Sequence, residues 1–419
     1  MNHLDRFIRA SGARLAALAL CVALLSGTSA SAAGLKLGDD ERYLKIALLL
    51  QGWAAFTHEG AQDPDSLQSD LYLRRMRVLL FGQYNEYVNF FVETDNPNFG
   101  KGGDLSPNTF IQDAWVELNL HPALQIDVGM LLTPFSHHGM QGAVTLHSLD
   151  YHSALIRYPR GSHKVWRDFG VMLRGMIVAP YLEYRVAICN GVSGSAEDPR
   201  NPNDWPRVTL RLTANVFEAE GGAGTGGFFY DGLYLSHSKD KGRVSPKRVL
   251  AFGVSADWQK DLNVSLDADG NLRRRDDYWA VAADVFLDLP LLESKQLALT
   301  GQLNVYYYDH GDRRGQTSPD GETISRSWYG AEGGGSEYSG VGLLSELGLR
   351  WDWLGVYEAT DWFHATESSS GEGDYLSEYG GLIFWWFGHG TSIKLESGGI
   401  QRDGGDWQVF ARAQVQLLF

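Results

Sequence analysis

The residues of this chain with chemistry to offer are charged side chains set two or four apart within apolar segments. Arg75 and Arg77, Asp113 and Glu117, and Arg207 and Arg211 follow this spacing. A period of two puts such residues on one face of a β-strand. Read this way, one face carries a basic set, Arg75, Arg77, Arg174, Arg185, Arg207, Arg211 and Arg412 with Lys45 and Lys394. The same face carries an acidic set, Glu93, Asp95, Asp113, Glu117, Asp127, Asp168, Glu183, Asp284 and Glu346. Charges lining a wet lumen set ion selectivity through electrostatic wells and barriers. A guanidinium suits anions because its planar fork meets a carboxylate or phosphate with two bonds. The same charges can instead pair with one another across a wall and only keep the lumen hydrated.

A second basic group lies between strands. Segment 134–166 carries Arg157, Arg160 and Lys164 against Asp150, together with His137, His138, His147, His152 and His163. Its length fits an outer loop folded into a barrel to narrow it. A net-basic constriction would favour anions, because the narrowest point dominates selectivity. Its histidines would strengthen that preference below about pH 6.5. They lack the spacing of metal ligands on a defined element, so no metal or other cofactor is expected. Arg273, Arg274 and Arg275, and Arg313 and Arg314, are expected in outer loops. There they would be solvated, or would gather anions or lipopolysaccharide phosphates.

The elements that position these residues read as strands throughout. Leu299, Gly301, Leu303, Val305 and Tyr307 oppose Thr300, Gln302, Asn304 and Tyr306. Val208, Leu210, Leu212 and Ala214 oppose Arg207, Thr209, Arg211 and Thr213. Sixteen such segments are expected, near 44–56, 70–84, 86–95, 109–120, 124–133, 167–178, 181–190, 205–217, 247–259, 276–288, 296–308, 339–351, 354–364, 376–387, 391–400 and 407–419. Apolar residues recur on one face and charges on the other, the outward-apolar, inward-polar dyad of a transmembrane antiparallel β-barrel. The final segment, alternating from Trp407 and ending on Phe419, is similar to the insertion signal of bacterial outer-membrane barrels. Long and short connections alternate, with 218–246 as the exception. It is expected to be a periplasmic insertion, since a further spanning strand there would break the even count.

Composition narrows the class further. The chain has 419 residues, 49 of them glycine, and a formal net charge of −15. That charge argues against a nucleic-acid partner. No apolar run approaches the 18 or so residues of a membrane helix. Arg6, Arg9 and Arg14, the apolar stretch Leu15–Leu25 and the small residues to Ala33 read as a secretory signal peptide over 1–33. Residues 34–419 would then form the barrel. Cys189 is the one cysteine outside that segment, so an internal disulfide is excluded.

Arg74-Arg75-Met76-Arg77, the run Asp113–Asn119 (DAWVELN) and the run Val128–Ser136 (VGMLLTPFS) resemble the phosphate-selective porin O and P family. Asp168–Gly175 (DFGVMLRG) and Gly226–Leu235 (GGFFYDGLYL) are similar to members of the broader family. The likeness extends over nearly all of 40–419 and rests on the order and spacing of these motifs. It implies a sixteen-stranded homotrimeric porin of the bacterial outer membrane. The expected function is passive diffusion of small polar solutes, with a mild preference for anions such as phosphate. Arg157, Arg160 and Lys164 would act at the constriction, and Arg75, Arg77, Arg174, Arg207 and Arg211 along the wall. Expected partners are outer-membrane lipid and lipopolysaccharide. The alternative is a barrel enzyme such as a phospholipase-like hydrolase, which needs a Ser/His pair near the membrane boundary and a third group to orient it. No catalytic constellation is legible, and the chain is read as not being an enzyme.

Overall fold

The computed structural model describes residues 35–58, 67–106, 108–155, 157–158, 166–194, 201–220, 230, 248–266, 272–292, 297–310, 339–366, 373–387 and 390–419. The strands in chain order are β1 (Leu35–Gly38), β2 (Tyr43–His58), β3 (Leu67–Asn85), β4 (Val88–Asp95), β5 (Phe110–His121), β6 (Leu124–Leu132), β7 (Arg167–Val178), β8 (Leu182–Cys189) and β9 (Arg207–Asn215). They continue as β10 (Val249–Leu266), β11 (Leu272–Leu292), β12 (Leu297–Asp309), β13 (Gly340–Trp351), β14 (Leu354–Ala365), β15 (Tyr375–Phe387), β16 (Thr391–Arg402) and β17 (Gln408–Leu418).

From β2 onward each strand pairs antiparallel with the next. β17 returns to β2 with Leu417 opposite Leu50, which closes the wall into a sixteen-strand barrel. Closure matters because an open edge in a bilayer leaves backbone N–H and C=O groups without partners, at several kcal/mol each. β1 was not expected; it pairs with β2 beyond the stretch that β17 covers, Leu35 opposite Ile46. All sixteen expected segments form strands.

One expected loop is largely strand. Segment 260–275 was read as an outer connection, yet β10 runs to Leu266 and β11 begins at Leu272. Arg273, Arg274 and Arg275 therefore lie in β11, with Val264 opposite Arg275 and Ser265 opposite Arg274. The polar sequence hid this, because backbone pairing continues where the side chains no longer alternate. Arg313 and Arg314 lie outside the described residues.

The outer face is aliphatic in mid-strand, with Leu210, Leu212, Val254, Val281, Leu303 and Val305 exposed. Aromatic side chains mark both margins. Trp279, Tyr307 and Trp362 stand toward the long connections, and Tyr84, Tyr181, Trp351 and Trp386 toward the short turns. An apolar band between two aromatic girdles is the surface of an outer-membrane barrel. Among the described residues, Glu358 and Glu378 are the charged exceptions in mid-strand on this face. They sit diagonally on adjacent strands, Glu358 opposite Gly380 and Glu378 opposite Thr360.

Leu303 lies in the middle of the aliphatic band. Leu303→Arg is expected to destabilise the barrel by about 2–4 kcal/mol in lipid vesicles. Urea unfolding of wild type and variant in the same vesicles checks this, and equal midpoints would contradict the outward placement.

Candidate functional site: a charge-paired lumen crossed by one loop

The inward faces carry the charges, and these form pairs. Arg77 donates from Nη1 to Glu93 Oε1 at 2.5 Å and from Nη2 to Asp95 Oδ2 at 2.8 Å. Arg174 donates from Nε to Asp127 Oδ2 at 2.8 Å and from Nη2 to Glu117. Arg185 meets Glu183 at 2.5 Å. Arg207 makes a fork with Asp257, Nε to Oδ1 at 2.9 Å and Nη2 to Oδ2 at 2.5 Å, with Asp168 3.6 Å away. Arg211 makes another with Asp284, at 2.6 and 2.8 Å. Gly253 leaves room for that fork, since a Cβ there would lie 2.4 Å from both Arg211 Nη2 and Asp284 Oδ1. The wall arginines of the expected basic set are thus buried, hydrogen-bonded dipoles. Arg412 is more open and lies 3.9 Å from Glu396.

Two partners escaped the sequence. The β2–β3 register slips between Gln51 and Gly52, opposite Arg75 and Leu73, and leaves Arg74 as the extra residue of a bulge. A bulge re-aims side chains, so Arg74 and Arg75 both reach Asp150, Arg74 Nη2 at 2.7 Å. Simple alternation puts Arg74 on the outer face. Arg167 is the second, donating from Nη2 to Asp113 Oδ2 at 3.2 Å.

The connection between β6 and β7 crosses the lumen. Its neck is closed by Thr133 N donating to Trp166 O at 2.8 Å. Beyond the neck, Ser136 adopts a positive φ and caps a helical turn, His137–Met140, accepting from Gly139 N at 3.1 Å. The chain then reaches the far wall. Gln416 Nε2 donates to Val144 O at 3.0 Å, Lys394 Nζ to the carbonyls of Leu146 and Ser148, and Leu149 N to Glu396 Oε2 at 3.1 Å. His147 Nδ1 lies 3.1 Å from Glu346 Oε1. Gly348 admits that ring, as a Cβ there would stand 2.7 Å from His147 Cε1. The loop is therefore tied to β2, β3, β13, β14, β16 and β17.

Burial and charge fix the state of two loop histidines. Burial opposes charge on His152, but Asp361 at 2.5 Å and Glu346 at 2.9 Å outweigh it and push its pKa up to about 10. Burial and the neighbouring His152 carry His138 down to about 3. Neither changes charge near pH 6.5, so the sequence-based expectation that loop histidines gain charge there fails for these two. Burial also raises Asp150, yet Arg74 and Arg75 together hold it well below the usual carboxylate range.

Ser148 Oγ, His152 and Asp361 superficially resemble a nucleophilic triad, with Ser148 Oγ 3.4 Å from His152 Nε2. The imidazolium cannot act as a base, because both its nitrogens face carboxylates. Ser148 Oγ instead donates to Asp150 O at 2.7 Å.

Of the expected constriction residues, Arg160, Lys164 and His163 lie outside the described residues. Arg157 packs against the wall opposite to Arg75 and Arg77. Its guanidinium lies 3.4 Å from the Phe363 ring centroid, and its Nε donates to Ala154 O at 2.9 Å. Burial carries its pKa down to about 10.

No protein-family profile matches the sequence, and no curated protein matches it. Solved structures do. The OmpF porin of Salmonella typhi, solved in complex with daunomycin, is 11% identical with a TM-score of 0.57, over 92% of this chain and all of that one. The outer membrane channel DcaP of Acinetobacter baumannii is 13% identical with a TM-score of 0.52, over the same shares. The anion-selective porin of Comamonas acidovorans is 9% identical with a TM-score of 0.54, over 90% of this chain and all of that one. These likenesses establish the fold, a closed barrel of porin architecture, and the aliphatic band between aromatic girdles is what fits it to an outer membrane.

The His152 contacts carry a pH signature. Its pKa is raised on folding, so its stabilisation is complete below the unfolded value of about 6.5 and is lost as pH rises toward 10. The thermal midpoint in detergent is expected to fall between pH 6.5 and 10, and to fall less in His152→Gln. Equal falls would contradict the assignment.

Proposed function

We propose that this protein is an outer-membrane porin of the phosphate-selective O and P family. It forms a water-filled channel for passive diffusion of small polar solutes, with a mild preference for anions such as phosphate. The observation that carries the reading is the connection between β6 and β7, which crosses a closed barrel and is tied to β3 through Asp150 and to the opposite wall through His147 and His152. A barrel that only anchored or adhered has no use for such a crossing element. Residues 1–33 serve as the signal peptide; 218–246 starts from the periplasmic end but is not confined to the periplasm as expected, since Glu220 and Tyr230 lie inside the barrel against His137 and Met140.

The anion preference is local. Wall arginines fused to carboxylates present little net charge, and surface acids are screened beyond about 8 Å at physiological ionic strength. Cations delivered by the loop lie within a few ångströms of a passing ion and are less screened. Arg157 is held by a backbone carbonyl and an aromatic face, and Arg160 and Lys164 follow it in the same loop. The fold shared with an anion-selective porin is consistent with this reading.

Reversal potentials across a salt gradient test it. Wild type is expected to favour anions, and Arg157→Ala/Arg160→Ala/Lys164→Ala to lose most of that preference. A cation preference in wild type, or an unchanged ratio in the variant, would overturn it.

The proposed assembly is a homotrimer. Glu358 and Glu378 interrupt the aliphatic band, and beside them the outer face is built of Gly380, Ser397, Gly399, Ala411 and Ala413. Small residues permit close approach of a second barrel, and carboxylates in mid-band are better placed against protein than against lipid tails. Light-scattering mass in mild detergent is expected to give three chains, and a clean monomer would contradict it.

A further inference from the structure

We propose that Glu220 and Tyr230 are positioning residues of the constriction, bracing loop 133–166 from the opposite end of the barrel. The inference rests on the pore reading above.

The two segments enter from different ends. The loop leaves β6 at the end of the barrel that bears the long connections. The connection from β9 to β10 leaves the other end, where β7–β8 and β13–β14 make their short turns. They meet inside. Tyr230 N donates to Met140 O at 2.9 Å and Gly142 N donates to Tyr230 O at 3.4 Å, an isolated parallel bridge that places Gln141 opposite Tyr230.

Side chains extend the contact. The His137 ring is sandwiched, its centroid 5.1 Å from Tyr230 and 4.1 Å from Phe286, with interplanar angles of 10° and 14°. Glu220 Oε2 lies 2.7 Å from His137 Nε2. The Tyr230 hydroxyl reaches the wall, accepting from Arg211 Nε at 3.2 Å and donating to Glu183 Oε1 at 3.2 Å. Tyr230 is thus a strut, with its backbone on the loop and its hydroxyl on β8 and β9. Through it the helical turn is fixed both to β8 and β9 and to a chain arriving from the other end of the barrel. A crossing loop held at one end only would sample more positions, and pore width would vary with it.

Two readouts on the full chain test the brace: single-channel recording, and the rate of tryptic cleavage within the loop. The variants are Glu220→Gln/Tyr230→Ala and the conservative Tyr230→Phe, each first shown to keep the heat-modifiable gel mobility of a folded barrel. The double variant is expected to change open-channel conductance by about twofold with greater current noise, and to be cleaved about tenfold faster. Tyr230→Phe, which keeps ring and backbone, should lie nearer wild type. A folded double variant with wild-type conductance, noise and cleavage rate would overturn the proposal. Should wild type itself conduct nothing, the pore reading falls, and equal cleavage rates in wild type and double variant would then sink the brace on their own.

Discussion

Neutralising charge inside a closed wall is the constraint on which the rest of this structure depends. Sixteen strands in register leave the backbone no free edge, and their apolar residues turn to lipid. The polar faces are thereby committed to the interior, where an unpaired charge is costly. Most of the interior answers this within the wall itself, as in the forks of Arg207 with Asp257 and Arg211 with Asp284. The pairs join neighbouring or nearby strands, so each also reinforces the order of the sheet.

What the wall leaves unbalanced, the crossing loop completes. Two guanidiniums on β3 share Asp150, and two carboxylates on β13 and β14 share His152. Both loop residues stand in the stretch that has left the neck and reached the far side. The path of the loop is thus set by four wall charges that need it, and its helical turn by the Ser136 cap and the contacts of His137. Charges that hold the loop are spent on holding it; in the function proposed above, discrimination then falls to the remaining loop cations, of which Arg157 is held by the Phe363 ring and the Ala154 carbonyl.

Much of the fold was legible because a strand wall obeys a period of two. The alternation through Leu299, Leu303 and Val305 placed β12, and the run from Trp407 placed β17. The inward position of Arg75, Arg77, Arg174, Arg207 and Arg211 followed from the same rule. It failed where the rule fails. Arg74 faces inward only because a bulge inserts one residue, and the ends of β10 and β11 pair by backbone without a hydropathic signature. The site was less legible than the wall. That Asp150 is the acid among the loop's bases is visible in sequence, but its engagement with β3 is a tertiary fact. The opposite fates of His138 and His152, one kept neutral and the other charged, depend on carboxylates far away in sequence. Nothing local marks Glu220 or Tyr230 as lumen residues.

The proposed function turns on whether this charge-paired interior passes solute. Swelling of vesicles loaded with a large polysaccharide and diluted into isotonic small polar solutes measures that directly, by light scattering. An open pore gives swelling that scales with the amount of protein, slows as solute size grows, and is somewhat faster for a small anion than for a cation of equal size. Vesicles that hold correctly folded protein yet swell no faster than protein-free ones would contradict it.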